Sequence, residues 1–222
     1  MERALVKQFY DRFGRRQDAQ RFYEDDAVAD LIAHSEFATA RSVFEFGCGT
    51  GRTAEKLLSS VLPDDAVYQA VDISTTMISL ARQRLARFGD RASVRQIEGK
   101  DPFEGMDARV DRLITTYVLD FLPEEEIESF VCRSAETLTE RGKLSIASLT
   151  AGTTLSSRVV TAGWRALFRI SPRLVGGCRP IRLRPYLSAS WRVEHHATIT
   201  AFGIASEVTV ATPVRVTDRG CG

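Results

Sequence analysis

The sequence predicts an α/β fold, a doubly wound and mostly parallel sheet of seven strands with a C-terminal antiparallel hairpin. Segments typical of strands and helices alternate between residues 42 and 150, the order that gives parallel strands joined by right-handed crossovers. A glycine-rich turn directly follows the first strand, where doubly wound sheets bind their ligands. The last two strand-like segments are joined too tightly for a crossover, which indicates the hairpin.

The first two strands and helices follow from local patterns. The run Ser-Val-Phe-Glu-Phe predicts a strand at residues 42–46 that stops at the glycine turn. Apolar residues at helical spacing predict a helix over residues 52–62. A second strand is expected at residues 67–72, and Ser74 after it is expected to cap the next helix.

The remaining strands of the parallel part are predicted in the same way. The third and fourth are expected at residues 93–97 and 112–117. A helix should then begin at Pro123, because proline suits the first helical position and three acidic residues after it suit the helix dipole. This helix is expected to end near Gly142, before a fifth strand at residues 143–149.

The C-terminal part is expected to differ from this alternating core. Strands at residues 192–203 and 206–212 should form a hairpin that turns at Gly203-Ile204-Ala205. About forty residues separate it from the fifth strand, more than a plain connection needs, so we expect a helical insertion there. One domain, 1–222, would then comprise an N-terminal helical lid (1–41), a ligand-binding core (42–150), a basic helical insertion (151–191) and the hairpin with its tail (192–222).

Composition narrows the class of protein. Net charge is +1, with 44% hydrophobic and 27% charged residues, ordinary values for a soluble globular chain. The first residues lack the apolar region of a signal peptide, and the longest uncharged stretch, residues 144–157, is too short to span a bilayer. Four scattered cysteines without CxxC spacing indicate reduced thiols in a cytoplasmic protein, so no metal site is expected.

The glycine turn Gly47-x-Gly49-x-Gly51 suggests a nucleotide-like cofactor, although a tight turn alone would also explain it. Asp72 ends the second strand, where a carboxylate can accept hydrogen bonds from both ribose hydroxyls. Glu45, two residues before the turn, should point an anion into the same crevice; it would repel a pyrophosphate but attract an ammonium and a sulfonium. Arg52 also breaks the dinucleotide spacing. The pattern therefore favours S-adenosylmethionine over NAD.

These residues, followed by Val71-Asp72-Ile73-Ser74 and Met77-Ile78, closely resemble the class I S-adenosylmethionine-dependent methyltransferases, which have a Rossmann-like fold. The likeness extends over about residues 40–150. It implies that the loop binds the methionine and ribose parts, that Asp72 binds the ribose diol, and that Ile73 and Met77 flank the adenine. The implied loop residues are Glu45, Gly47, Cys48, Gly49 and Gly51.

The third and fourth strands carry further implied cofactor residues. An acid beside a glycine after the third strand would reach the adenine amine; either Glu98, next to Gly99, or Asp101 could serve, and we favour Glu98. Thr116 and Tyr117 end the fourth strand, where members of the family contact the methionine end. An ordinary strand terminus would explain the threonine equally well.

A catalytic base is needed only if the methyl acceptor must lose a proton, and the candidates are few. Asp120 follows the fourth strand, but it could instead cap the helix after it. His195 is adjacent to His196 on a strand, so only one of them can face a given pocket. Tyr117 is a further candidate. Tyr10 belongs to a Tyr-Asp pair that resembles the cofactor lid of quinone-type methyltransferases, and helix packing is the competing explanation for it and for Tyr23.

The insertion is strongly basic. Residues 141–193 contain ten basic and no acidic side chains, so the rest of the chain carries −9. Within residues 158–184, apolar and arginine side chains occupy different faces of a possible helix, which is typical of an anionic membrane surface or anionic substrate contact. A lid helix that packs on the sheet is the alternative. Few aromatic residues interrupt the arginines, which disfavours nucleic acid.

The sequence therefore predicts a cytoplasmic methyltransferase that moves a methyl group from S-adenosylmethionine to a small, apolar or lipid-like acceptor, with peripheral membrane contact through the basic insertion as an open alternative. An inactive S-adenosylmethionine-binding partner subunit is the first alternative, and a nicotinamide-dependent oxidoreductase is the second. The substrate expectation rests on likeness to quinone and phospholipid methyltransferases and on the basic insertion.

Overall fold

The computed structural model describes residues 11, 21–98, 101–106, 108–152, 178–187 and 189–214 of the chain. The strands in these ranges are β1 (Ser42–Phe46), β2 (Val67–Asp72), β3 (Ala92–Gln96), β4 (Val110–Thr116), β5 (Leu138–Leu149), β6 (Trp191–Ala201) and β7 (Ile204–Pro213). The α-helices are α1 (Arg21–His34), α2 (Arg52–Ser60), α3 (Thr75–Leu85) and α4 (Glu124–Thr137).

All seven strands belong to one sheet in the order β3-β2-β1-β4-β5-β7-β6. The pairs from β3 through β5 are parallel, whereas β7 runs antiparallel to both β5 and β6. The predicted fold class is therefore confirmed. Strand order reverses between β1 and β4, and in such sheets the carboxyl ends at this switch point form the ligand crevice. The helix predicted within the insertion falls on residues outside the described ranges.

Local sequence signals place the first elements correctly. β1 and β2 have the predicted bounds, and β3 and β4 begin slightly earlier than predicted. Ser74 caps α3 as expected, since its hydroxyl accepts a hydrogen bond from the backbone N–H of Met77 at 3.2 Å. That bond satisfies one of the N–H groups that a helix start leaves without an intrahelical partner.

The predicted junction between the last helix and the fifth strand is wrong. The helix ends at Thr137, not near Gly142, and β5 begins at Leu138. Leu138 has extended backbone angles and pairs with Val110, which buries its side chain. An apolar residue here satisfies the buried face of a helix or of a strand, so periodicity alone extends the helix too far. The β-branched residues on either side, Thr137 and Thr139, favour the strand.

The hairpin is confirmed, but its turn is shorter than predicted. Phe202 and Gly203 form it with φ angles of 52° and 81°, and Ile204 already pairs with Ala201. Two successive residues with positive φ are typical of the two-residue turns whose twist matches that of the flanking strands.

Helices cover both faces of the sheet. One face is packed by α1, α2 and α3, whose buried side chains include Ala27, Leu31, Leu57, Leu58, Ala81 and Leu85. The other face is packed by α4 through Ile127, Phe130 and Val131. These layers leave the carboxyl ends of β1, β2 and β4 at one edge, and this edge holds the candidate site.

The described end of the insertion also packs on the α4 face. Ile181 and Leu183 are buried in that core, while Arg182 and Arg184 between and beyond them are exposed. The described end of the insertion thus packs on the core with Arg182 and Arg184 exposed, and both functions considered for residues 158–184 stay predictions. Among the helices in the described ranges, none combines the length and apolar character that crossing a bilayer requires.

Candidate active site

The glycine loop lies between β1 and α2 and has a backbone that only glycine readily adopts. Gly47, Gly49 and Gly51 all have positive φ angles of 76°, 51° and 78°. A β-carbon on Gly47 would come within 2.2 Å of a γ-carbon of Val118. The first glycine is therefore required both by its backbone angles and by the close approach of the chain that follows β4.

Asp72 joins the glycine loop to the end of β2. Its Oδ2 accepts the backbone N–H of Gly49 at 2.9 Å, and its Oδ1 accepts the N–H of Ser74 at 2.9 Å. Burial raises the pKa of this carboxyl group, and the two N–H bonds work in the opposite direction by favouring its charged form. Each carboxylate oxygen can accept more than one hydrogen bond, so both retain capacity for a ligand hydroxyl.

Glu45 does not point into the crevice as the sequence suggested. Its side chain is 1% exposed and its Oε2 accepts a hydrogen bond from the Tyr68 hydroxyl at 3.0 Å. Burial raises the pKa of Glu45 to about 7, assisted by the negative charge of Asp72 and opposed by the Tyr68 bond. Alternation along β1 accounts for this placement, because Glu45 shares the sheet face of Val43 and Tyr68. A direct role in holding cofactor stays a prediction.

A cleft opens beside the loop. Its lining comprises Glu24, Val28, Gly47, Cys48, Gly49, Thr50, Arg52, Thr53, Thr116 and Tyr117. The loop residues and the two that end β4 were predicted from sequence, and the structure brings them together. The contribution of α1 was not predicted, since nothing in the motif spacing connects residues 24 and 28 with a loop that follows β1.

The α1 wall of the cleft is tied to its neighbours by polar and aromatic contacts. The rings of Tyr23 and Tyr117 meet edge to face with centroids 5.8 Å apart. Arg52 of α2 forms an ion pair with Asp25 at 2.5 Å. The charge of Glu24 contributes to raising the pKa of Tyr23, after the larger effect of burial. The cleft lining therefore contains one acidic side chain, Glu24, one basic side chain, Arg52, and the aromatic ring of Tyr117.

Tyr117 occupies the end of β4 with a positive φ of 55°, unusual for a residue with a side chain. Its N–H donates to the carbonyl of Ala147 at 2.8 Å, and its hydroxyl lies 2.8 Å from the Ser206 hydroxyl. Burial is the main cause that raises the pKa of Tyr117 well above its usual range. The phenol is therefore protonated at neutral pH and suited to hydrogen bonding.

Asp120 is buried behind the cleft and contacts the end of β5. Its carboxylate accepts hydrogen bonds from the Ser148 hydroxyl and from the backbone N–H of Leu149, the latter at 3.1 Å. Burial raises the pKa of Asp120 to about 7, although both bonds favour the charged form. The alternative that Asp120 caps the following helix is wrong, because Pro123 is the N-cap residue of α4 and no side-chain cap bond is formed there.

The N-terminal segment reaches the site through Asp11. The carboxylate of Asp11 accepts hydrogen bonds from the Ser74 hydroxyl at 2.6 Å and from the Thr76 N–H at 3.3 Å. It therefore lies at the start of α3, next to Asp72, whose pKa it helps to raise. The predicted lid at residues 1–41 stays a prediction, because most of its first twenty residues lie outside the described ranges. Tyr10 lies outside the described residues.

The implied adenine residues are only partly brought together. Glu98 is exposed at the end of β3, and Gly99 lies outside the described residues. Asp101, the alternative acid, forms an ion pair with Arg133 at 3.0 Å and accepts the Phe103 N–H, and the choice of Glu98 over it stays a prediction. The two residues implied to flank the adenine differ in exposure, since Ile73 is half-buried and Met77 is fully buried.

His195 lies away from the cleft. Its Nε2 is 2.7 Å from a carboxylate oxygen of Asp30, and its ring stacks on that of His34 with centroids 3.6 Å apart. His196 points to the other face of β6 and contacts Glu207 at 2.9 Å. The expected alternation of the two rings is therefore present, but the described structure does not bring either ring to the glycine loop.

Comparison with known proteins relates this geometry to a family. A model of the methyltransferase-domain family matches residues 43–142. None of the curated proteins matches the chain. Among solved structures, the N-methyltransferase NodS from Bradyrhizobium japonicum WM9 is 15% identical with a TM-score of 0.65, over 86% of this chain and 97% of that chain.

Two further structures have the same fold. Magnesium protoporphyrin IX methyltransferase (ChlM) from Synechocystis PCC 6803, solved with bound SAH, is 19% identical with a TM-score of 0.60, over 86% of this chain and 81% of that chain. An O-methyltransferase (NcsB1) from neocarzinostatin biosynthesis is 18% identical with a TM-score of 0.60, over 84% of this chain but 53% of that chain. The present chain thus spans about half the length of NcsB1.

The matched residues include the glycine loop, Asp72 and the strands that hold them, so the family match and the geometry concern the same site. Residues 43–142 thus match the methyltransferase-domain family, in a chain that has the Rossmann-like fold of class I S-adenosylmethionine-dependent methyltransferases.

Proposed function

We propose that the chain is an S-adenosylmethionine-dependent methyltransferase that transfers a methyl group to a small, apolar or lipid-like acceptor. The observation that carries the proposal is the contact between Asp72 and the Gly49 N–H at 2.9 Å. It fixes a carboxylate beside a glycine loop whose backbone a cofactor can approach closely, at the switch point of the sheet.

The residues present suit this cofactor. Asp72 would bind the ribose hydroxyls, and Ile73 and Glu98 would lie along the adenine. The methionine end would lie along Gly47–Gly51 and Thr116, near the acidic side chain of Glu24 in the cleft wall. Negative charge at this position attracts an ammonium and a sulfonium group. When bound, the cofactor supplies an electrophilic methyl group.

The protein's own contribution to catalysis would be mainly positioning. Holding the acceptor and the methyl group in line supplies much of the acceleration in such reactions. Tyr117 is protonated and bonded to Ser206, and Asp120 is buried with its carboxylate bonded to Ser148 and Leu149. Neither geometry supports a general base, so acceptors that lose their proton readily fit this site best.

The proposed class of methyl acceptor follows from the cleft lining and from the structural neighbours. Val28 and Tyr117 give the cleft an aliphatic and an aromatic side chain, and Tyr23 packs against the ring of Tyr117. The structural neighbours named above include an N-methyltransferase, a porphyrin methyltransferase and an O-methyltransferase in complex with a naphthoic acid. A small organic acceptor is consistent with all three. We keep contact with an anionic membrane surface through residues 158–184 as part of the proposal, with salt-sensitive retention on anionic vesicles as its test.

Calorimetry and a transfer assay test the proposal together. The chain should bind S-adenosylhomocysteine, and Asp72→Asn should weaken binding at least about tenfold, while Asp64→Asn on an exposed loop should leave it unchanged. Labelled S-adenosylmethionine with lipid and quinone extracts should then give a labelled product. Binding without transfer to any fraction would indicate an inactive cofactor-binding subunit. Stabilisation by NAD(P)H but not by S-adenosylhomocysteine would overturn the proposal in favour of an oxidoreductase.

A further inference from the structure

Three metal-binding side chains meet on the outer surface of α1 and β6, away from the cofactor cleft. Asp30 and His34 lie four residues apart on α1, and His195 lies on β6, the edge strand. One potential ligand atom from each, two ring nitrogens and a carboxylate oxygen, lies within 4.8 Å of the other two. We propose that these three residues form a binding site for a divalent transition metal such as Zn²⁺.

The individual distances support a shared centre. The Nε2 of His195 is 2.7 Å from Asp30 Oδ2, and the Nδ1 of His34 is 3.5 Å from Asp30 Oδ1. Tetrahedral zinc with ligand bonds of about 2.0–2.2 Å separates its donor atoms by roughly 3.4 Å. The His34–Asp30 distance is near this spacing. The 2.7 Å contact is a hydrogen bond that an ion would lengthen, and the Nδ1 of His34, which also lies 2.9 Å from the backbone carbonyl of Asp30, would turn toward the ion.

The donor types define the class of metal. Imidazole nitrogen with a carboxylate oxygen suits Zn²⁺, Co²⁺, Ni²⁺ and Cu²⁺, whereas Mg²⁺ and Ca²⁺ prefer oxygen donors throughout. The side chains of Asp30, His34 and His195 are 22%, 45% and 20% exposed. An ion can therefore enter from solvent, and water can occupy the coordination positions that three protein ligands leave open.

Hydrogen bonding and ring stacking without an ion are the competing explanation. The two imidazole rings are almost parallel, with an interplanar angle of 3°, and Asp30 contacts both of them. A metal ion would engage both rings at once, so saturable binding of one ion distinguishes the two explanations.

Metal binding would link two elements of the fold. α1 contributes Glu24 and Val28 to the cleft, and β6 forms the edge of the sheet. A ligand that binds the folded chain and not the unfolded one raises its stability by mass action. The proposed ion would thus fasten the α1 wall of the cleft to the sheet, whichever acceptor the enzyme uses.

Titration of the full chain, expressed without a polyhistidine tag and treated with chelator, tests the site. Zn²⁺ should bind with a stoichiometry of one and raise Tm, and His195→Ala and His34→Ala should each weaken binding at least about tenfold. His196→Ala is the matched control, because this adjacent ring lies on the opposite face of β6 and contacts Glu207. Equal losses in His195→Ala and His196→Ala, or no saturable binding, would overturn the proposal.

Two further measurements keep the result unambiguous. Exposed Cys132 could bind metal by itself, so the titrations use a Cys132→Ser background. Co²⁺ bound by the proposed ligands should show no thiolate charge-transfer band, and such a band would assign binding to cysteine and overturn the site. If His195→Ala does not fold, the half-exposed His34→Asn provides the same test. Its fold is checked by circular dichroism and urea unfolding, which require neither the metal nor the proposed cofactor.

Discussion

Gly47 lies against Val118 so closely that a β-carbon on the glycine would be 2.2 Å from a γ-carbon of the valine. The two residues follow β1 and β4, the neighbouring strands between which the order of the sheet reverses. Their contact holds the glycine loop against the chain that leads from Tyr117 to Asp120. The switch point is thus a packed interface between two loops and not an open gap.

This contact predicts the behaviour of Gly47→Ala. The substitution adds an overpacked methyl group, typically about 1–3 kcal/mol, to the cost of a positive φ, about 1–2 kcal/mol. When it is combined with Gly47→Ala, Val118→Ala should recover the overpacking cost but not the cost of the positive φ. A double-mutant cycle in urea unfolding measures this recovery. Gly105→Ala is the matched control, because Gly105 has a φ of 74° with no atom near its added methyl group. Equal losses of stability in Gly47→Ala and Gly105→Ala would show that the contact with Val118 adds no cost.

The Glu45 carboxyl group predicts a pH dependence of stability. Its pKa rises to about 7 in the folded chain from the ordinary value of 4.5, so the folded state binds the proton more tightly. Its stabilising contribution is therefore fully present below pH 4.5 and is lost as pH rises toward 7, by about 3 kcal/mol at most. Glu45→Gln should remove this contribution, so the variant gains stability relative to the natural chain as pH rises.

Urea unfolding of both chains between pH 4 and 8 measures the difference. Glu104→Gln, a substitution at an exposed position, provides the control and should show no such divergence. The pKa of Asp120 is raised to about 7 as well. Because both variants keep Asp120, both retain part of the pH dependence of the free energy of unfolding. A constant difference between Glu45→Gln and the natural chain across this range would contradict the prediction.

Asp120 is expected to act on stability more than on catalysis. Asp120→Ala leaves the Ser148 hydroxyl and the Leu149 N–H without their acceptor, at a cost of about 1–3 kcal/mol for each buried group. Asp120→Asn keeps an accepting oxygen and should retain most of the stability and of kcat. A loss of kcat of a hundredfold or more in a folded Asp120→Asn would instead make this carboxylate part of the catalytic chemistry.

The sequence predicted those parts of the fold and site that depend on neighbours along the chain. β1, the glycine loop, Asp72 and the Ser74 cap each follow from a few consecutive residue types. Glu45 shows where this reasoning stops, because both faces of β1 are buried and alternation along the strand does not say which face borders the cleft. Pattern alone places a carboxylate at the end of a strand but does not tell which face receives it.

Contacts between distant residues were not accessible to sequence reasoning. Glu24 enters the cleft only because α1 crosses the sheet beside the loop. The cluster of Asp30 and His195 joins residues that are 165 positions apart, so no ligand spacing in the sequence announces it. The predicted helix end near Leu138 was wrong for a different reason, since a buried apolar residue fits a helix and a strand equally well.

Tyr117 is expected to position the acceptor and not to take its proton. The phenol is held by the Ser206 hydroxyl at 2.8 Å, and burial keeps its pKa well above the usual range. Tyr117→Phe and Ser206→Ala delete the same hydrogen bond from its two ends. Both should therefore lower kcat/KM by a similar and modest factor, up to about tenfold or 1.4 kcal/mol, with an unchanged pH profile. A loss of a hundredfold or more in Tyr117→Phe alone, with a displaced pH profile, would show that the phenol takes part in proton transfer.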